Sequence, residues 1–267
     1  MFMMSSIPSP FVIQTCDSRG VYELRLNRQE SFNALSSEMI AALQEALDLV
    51  ANDTHSRAVV LAATGRAFCP GHNLKDMAAN PTQAYYLQLF KQCSKMMLSM
   101  AQLPVPVIAK VQGMATAAGC QLVAQSDLAV CSPQARFAAS GIHYGLFCST
   151  PSVPITRTIA PKHAMQMLIT GEFIDADTAL RYGLVNAVSA DDSEDALDAE
   201  VEKLISQIVN KPRIALKMGK ELVLRQQGLS LEAAYALAGH TMAANMMDAA
   251  AQEGVQAFVE KRLPNWK

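Results

Sequence analysis

The chain opens with two short segments rich in β-forming residues. Residues 11–15 and 21–26 flank Asp17-Ser18-Arg19-Gly20, a turn sequence, so the pattern predicts a β-hairpin. Helical spacing follows, because apolar side chains recur behind Ser36 and Ser37 at Met39, Ile40, Leu43, Leu47 and Val50. This spacing predicts an amphipathic helix with a serine cap.

Continuous apolar runs then alternate with small-residue segments. Residues 58–63, 105–111 and 128–131 are typical of strands buried on both faces, and residues 117–124 predict a tightly packed helix between two of them. Strand, helix and strand form a βαβ unit, which indicates an α/β fold. After Asp191 the periodicity is helical. We therefore expect a flexible tail at 1–10, a core at 11–190 and a helical region at 191–267.

Composition and charge exclude several classes of protein. Of 267 residues, 51% are hydrophobic, which predicts a large core with apolar surface left for subunit interfaces. Lys and Arg total 22 against 24 Asp and Glu, so no net charge favours nucleic acid or an anionic membrane. Residues 1–10 lack the features of a signal or anchor, and no apolar stretch is long enough to span a bilayer.

The six cysteines form no CxxC pair and mostly lie in apolar stretches. This distribution predicts reduced, buried thiols and a cytoplasmic location. Their spacing does not provide the clustered ligands of a structural zinc site, so we expect no metal.

Two glycine- and alanine-rich segments follow predicted buried strands, at residues 66–75 and 113–120. Ligands bind at the carboxyl ends of strands in open α/β sheets, and small residues there let backbone N–H groups approach a substrate. An ordinary tight turn and a close helix contact would give the same composition.

The order and spacing of these motifs resemble the enoyl-CoA hydratase/isomerase, or crotonase, superfamily over nearly the whole chain. The matching pieces are Leu26-Asn27-Arg28, Asn33-Ala34-Leu35-Ser36, Ala67-Phe68, Gly71-His72-Asn73-Leu74-Lys75, Pro106-Val107-Ile108-Ala109, Gly113, Gly119-Cys120, Ser126-Asp127, Ala135-Arg136-Phe137-Ala138, Leu168-Ile169-Thr170-Gly171, Gly183-Leu184-Val185, Glu253-Gly254 and Phe258-Val259-Glu260-Lys261-Arg262. The resemblance implies a spiral core of ββα turns, a homotrimer or dimer of trimers, and C-terminal helices over the active site or a neighbouring subunit.

The resemblance also implies an oxyanion hole made by the backbone N–H groups of His72 and Ala118. A helix N-terminus at Ala118 would add a favourable dipole for an enolate oxygen. An acyl-CoA thioester is the implied substrate, with coenzyme A as part of that substrate and no other cofactor. The implied binding residues are Asn33, Ala34, Leu35, Ala67, Gly71, His72, Asn73, Leu74, Lys75, Ala118, Phe258 and Lys261. Arg28 and Lys75 could add charge there or be solvated.

The pattern departs from the family at the two catalytic carboxylates. Hydratases of this family place glutamates where this chain has Gln121 and Gly141, and neither residue transfers a proton near neutral pH. His143 is the first candidate to replace them, since its ordinary pKa suits proton transfer. Packing in the core would equally explain this histidine. Further candidates are His72, which could act only through its backbone, Tyr144, and Asp76, which could cap a helix.

Two functions therefore remain open from the sequence. The first is a crotonase-type enzyme that uses enolate or thioester chemistry with a relocated acid/base group. The second is a noncatalytic acyl-CoA binder or an oligomer partner of an active relative. Cys148 has no evident paired base, which argues against a thiol nucleophile.

Overall fold

Strands and helices alternate along the protein in a computed structural model that describes residues 10–266. The strands are β1 (Val12–Cys16), β2 (Val21–Leu26), β3 (Ala58–Ala63), β4 (Ala67–Cys69), β5 (Val107–Val111), β6 (Met114–Thr116), β7 (Leu128–Cys131), β8 (Arg136–Ala138), β9 (Ile174–Asp175) and β10 (Ala187–Val188). The helices are α1 (Ser37–Asn52), α2 (Leu74–Ala79), α3 (Gln83–Gln102), α4 (Ala118–Gln125), α5 (Ser149–Thr158), α6 (Pro161–Thr170), α7 (Ala176–Tyr182), α8 (Glu194–Ile208), α9 (Arg213–Gln226), α10 (Leu231–Met246) and α11 (Ala249–Val259). Residues 1–9 of the predicted tail lie outside the described part.

Two sheets run side by side through the core. The larger sheet has the order β1-β2-β3-β5-β7-β10, and the smaller has the order β4-β6-β8-β9. Each long strand β3, β5 and β7 is followed by a short strand of the other sheet and then by helix, which confirms the spiral of ββα turns. The predicted hairpin is also confirmed, since β1 pairs antiparallel with β2.

The buried strands agree with their apolar sequences. Every residue of β3 and β5 is buried, as expected where helices cover both faces of a parallel sheet. The strand predicted from residue 105 begins two residues later, at Val107. Its ladder starts there because Pro106 has no N–H to donate, although the Pro106 carbonyl accepts a bond from the Val59 N–H at 2.8 Å.

Helix α1 begins at its predicted cap, where the Ser36 hydroxyl accepts a bond from the Met39 N–H at 3.2 Å. Helix α8 packs Leu197 and Val201 on the other face of the larger sheet, against Val60 and Ile108. The first helix after Asp191 is therefore a layer of the core. By contrast, no residue of α10 is buried.

The cysteines are all free, and only Cys16 is exposed, in agreement with reduced, buried thiols. No cluster of three or more metal-ligating side chains occurs within residues 10–266. In the same part of the chain, no helix is long and apolar enough to cross a membrane.

Candidate active site

The two glycine-rich segments meet at one edge of the smaller sheet. Strands β4 and β6 are parallel neighbours that pair Ala67 with Met114 and Cys69 with Ala115, so their carboxyl ends lie side by side. The Thr116 hydroxyl donates to the Pro70 carbonyl at 2.9 Å and joins the two connections beyond the strands. This pairing brings together the segments that contain His72 and Ala118.

Gly71 permits the close approach of these segments. Its φ is +101°, and a Cβ at this position would lie 2.9 Å from the Ala117 Cβ and 3.1 Å from the Ala118 nitrogen. The Gly71 carbonyl accepts a bond from the Leu35 N–H at 2.8 Å, and the Asn73 N–H donates to the Leu35 carbonyl at 3.3 Å. Because this parallel bridge uses the residues on both sides of His72, the N–H of His72 points away from Leu35.

Ala118 is the first residue of α4, and an N–H at this position has no acceptor within the helix. The preceding residue, Ala117, has φ +49° and ψ −118°, a sparsely populated conformation for a residue with a side chain. Its N–H donates to the Ala138 carbonyl of β8 at 2.9 Å, which fixes this conformation. Strain held at such a position is typical of a functional site.

Gln121 lies one turn further along α4, and 3% of its surface is exposed. Its Oε1 atom is buried and has no hydrogen-bond partner within residues 10–266. A buried amide oxygen without a partner costs free energy, so a ligand or water that donates to it would relieve this cost.

The position of the second family glutamate has no room for a side chain. A Cβ on Gly141 would lie 2.7 Å from the Leu146 carbonyl oxygen and 2.8 Å from the Cys148 sulfur. The Gly141 N–H donates to this sulfur at 3.2 Å. Burial raises the pKa of the Cys148 thiol, partly offset by this bond, so the group is a protonated packing partner rather than a nucleophile.

The imidazole of His72 is held on two sides. Its Nδ1 lies 3.3 Å from the Leu35 carbonyl oxygen, and its ring packs edge-on to Phe90 with centroids 5.5 Å apart. A carbonyl only accepts, so Nδ1 carries the proton of the neutral ring and Nε2 presents a lone pair. This Nε2 is buried and has no partner among the described residues. Burial lowers the pKa of His72, partly offset by the Leu35 bond, so the ring is neutral near pH 7.

The other acid/base candidates lie in different surroundings. His143 is exposed in the short 3₁₀ turn Ser140–Tyr144, and its Nε2 lies 3.1 Å from the Gly171 carbonyl oxygen. Tyr144 is exposed. Asp76 lies in the first turn of α2, where the Asn73 side chain is the cap. None of these roles is tested by the arrangement, and they stay predictions.

Some of the residues predicted to bind coenzyme A are buried or already hydrogen-bonded within the protein. Asn33 is fully buried, and its amide donates to the Thr64 and Ala67 carbonyls at 2.8 and 3.0 Å while Oδ1 accepts from the Arg28 N–H at 2.8 Å. Its side chain therefore holds loops together, which leaves Ala34 nearer the surface. Leu35 is also buried.

The remaining predicted binding residues lie in two regions, one around the start of α2 and one at the end of α11. Ala67 and Gly71 are buried, whereas Leu74 and Lys75 are exposed at the start of α2. A cavity of about 390 Å³ borders this region and is lined by Arg28, Ala34, Asn73, Asp76 and Tyr85, among others. Phe258 and Lys261 are exposed at the end of α11.

Sequence reasoning missed two packing contacts of the site. Cys148 fills the space at Gly141, and Phe90 of α3 contacts the His72 ring. The apolar positions of α3 could have indicated a helix near the site, but nothing in the sequence pairs either residue with its partner.

Comparison with known proteins identifies the family. The model of the family described as Enoyl-CoA hydratase/isomerase matches residues 17–267. The chain belongs to the enoyl-CoA hydratase/isomerase family. A crystal structure of an enoyl-CoA hydratase from Mycobacterium smegmatis is 56% identical, with a TM-score of 0.93 over 97% of this chain and 99% of that one.

Two vertebrate proteins of the same family are also similar. The structure of human enoyl-CoA hydratase domain-containing protein 3 is 36% identical, with a TM-score of 0.90 over 96% of this chain and all of that one. The Xenopus laevis protein of that name, described as mitochondrial, is 41% identical over 92% of this chain and 83% of its own length. The cytoplasmic prediction is therefore wrong. Free thiols indicate a reducing environment and do not distinguish one reducing compartment from another.

Proposed function

We propose that this family member binds an acyl-CoA thioester with the carbonyl oxygen on the N–H groups of His72 and Ala118, and that it catalyses enolate or thioester chemistry. The observation that carries the proposal is the close approach of Gly71 to the start of α4, where a Cβ on Gly71 would lie 3.1 Å from the Ala118 nitrogen; this approach supports two backbone donors in adjacent segments. Such donors stabilise an oxyanion as charge develops on it. Coenzyme A would enter as part of the substrate, with no further cofactor.

The noncatalytic alternative is favoured by Gln121 and Gly141, which remove both carboxylates of the hydratase reaction. Calorimetry with butyryl-CoA and free coenzyme A, followed by a turnover screen of acyl-CoA thioesters, separates the two. We expect butyryl-CoA to bind and at least one thioester to be converted. Binding without conversion of any thioester would select the alternative, and no binding would refute both.

Restoring the two glutamates should not restore hydration. In the variant Gln121→Glu/Gly141→Glu, we expect crotonyl-CoA hydration to stay at the background rate, because residue 141 would clash with the Leu146 carbonyl. The overpacking should lower the free energy of unfolding by about 1–3 kcal/mol relative to Gln121→Glu alone. Thermal unfolding and hydration assays of both variants check this. A stable double variant that hydrates crotonyl-CoA would contradict it.

We further propose that the protein is a homotrimer or a dimer of trimers. Helix α10 and the residues after it leave a broad apolar surface exposed, which monomers rarely do, at Leu231, Tyr235, Met242, Met247, Phe258 and Leu263. Covering by neighbouring subunits would also bring Phe258 and Lys261 to another subunit's coenzyme A. Light scattering should give three or six times the 28.8 kDa chain mass, and a monomer mass would contradict the proposal.

A further inference from the structure

We infer that the imidazole of His72 is the proton acceptor of the site, with Nε2 taking a proton from C2 of the bound acyl group. The inference rests on the proposed function, since it assumes that the thioester carbonyl lies on the His72 and Ala118 N–H groups. One residue would then supply both an oxyanion donor and the base.

The first support is the state of the His72 ring. The Leu35 carbonyl holds the proton on Nδ1, which leaves the buried Nε2 with a lone pair that has no partner within residues 10–266. Contact with Phe90 fixes the ring plane. A histidine oriented by a carbonyl on one nitrogen and free on the other has the arrangement of a general base.

The second support comes from Gln121, one turn beyond Ala118. Its buried Oε1 is a second acceptor without a partner among the described residues. Two buried acceptors without a partner among residues 10–266, in the same two segments as the proposed N–H donors, indicate a site that is completed by a bound molecule. By contrast, His143 already has the Gly171 carbonyl on its Nε2.

The proton transfer balances without any further reactant. The C2–H bond breaks, its electron pair enters the enolate, and the negative oxygen is held by the two backbone N–H groups. The proton forms an imidazolium on His72, whose Nδ1–H remains on the Leu35 carbonyl. The proton on Nε2 exchanges with solvent. Transfer of a proton from Nε2 back to C2 then restores the substrate.

The charge state of the ring suits this role at neutral pH. Burial lowers the pKa of His72, and the bond to the Leu35 carbonyl only partly offsets this effect. Burial raises the pKa of the nearby Cys93 thiol to about 12. The titratable residues of α2 and α3 are Lys75, Asp76, Tyr85, Tyr86, Lys91, Cys93 and Lys95. The base is therefore unprotonated at pH 7. The rate of proton removal from C2 should fall only at a pH below the ordinary histidine pKa of about 6.5.

The test measures deuterium incorporation at C2 of saturated acyl-CoA thioesters in D₂O by mass spectrometry. We expect exchange by the wild-type protein and a fall of at least about 100-fold in His72→Gln, with acyl-CoA affinity retained because the backbone N–H remains. The wild-type rate of C2 exchange should be constant from about pH 7 to 8. The His72→Gln variant should not show this plateau. The matched control is His55→Gln, which alters an exposed histidine in the turn before β3.

Three results would overturn the inference. They are wild-type exchange in His72→Gln, loss of exchange in His143→Gln instead, and binding of thioesters by the wild-type protein without exchange of any of them. In each of these cases the proposed acyl-CoA binding survives. Absence of binding in calorimetry would instead refute the proposed function.

Discussion

Replacing Gly119 with alanine should lower the free energy of unfolding by about 3 kcal/mol, at the upper end for overpacking of a core. A Cβ on Gly119 would lie 1.9 Å from the Cys69 carbonyl oxygen and 2.7 Å from its carbon. Both are backbone atoms of a buried strand, so α4 must move as a whole away from β4. Chemical denaturation of the wild-type and variant proteins measures the loss.

The matched control is Gly219→Ala in α9. No atom of residues 10–266 lies within 4 Å of a Cβ at Gly219, so alanine there should be neutral or should stabilise the helix by about 0.5–1 kcal/mol. Equal stability of the two variants would contradict the packing of α4 on β4. Since Gly119 follows Ala118 directly, we also expect Gly119→Ala to weaken acyl-CoA binding.

Replacing Ala118 with proline should reduce turnover or C2 exchange by about 100- to 1000-fold, equivalent to about 3–4 kcal/mol of transition-state stabilisation. Proline removes the backbone N–H and is well tolerated at the first position of a helix. Ala118 occupies this position in α4. Ala117 has φ +49° and ψ −118°, which does not suit a residue preceding proline, so we also expect a loss of stability, and thermal unfolding separates it from the loss of the donor.

The control for this variant is Ala249→Pro, at the first position of α11. Asp248 before it has an extended backbone, with φ −74° and ψ 142°, which suits a residue preceding proline. This variant should keep wild-type exchange. A folded Ala118→Pro protein that exchanged C2 protons at the wild-type rate would contradict the assignment of the Ala118 N–H as an oxyanion donor.

The cluster at Gly141 shows why the reaction cannot be read from the missing glutamates alone. The sequence shows that a carboxylate is absent at residues 121 and 141. The structure adds that position 141 is closed by the Leu146 carbonyl and the Cys148 sulfur, whereas the Gln121 Oε1 has no partner among the described residues. At residue 141, packed atoms fill the space that a glutamate side chain would need. At residue 121, the amide that replaces the carboxylate leaves a polar atom unsatisfied within the described part of the chain.

The sequence by itself determined the hairpin, the three buried strands, the capped first helix and the family, because hydrophobic periodicity and short motifs are local properties of the chain. It also placed His72 and Ala118 after neighbouring strands. Only the tertiary structure decided that Leu35 and Phe90 hold the His72 ring and that the Gly171 carbonyl contacts Nε2 of His143. These contacts join residues far apart in the chain, and side-chain direction and hydrogen-bond partners follow from packing between elements, which local patterns do not contain.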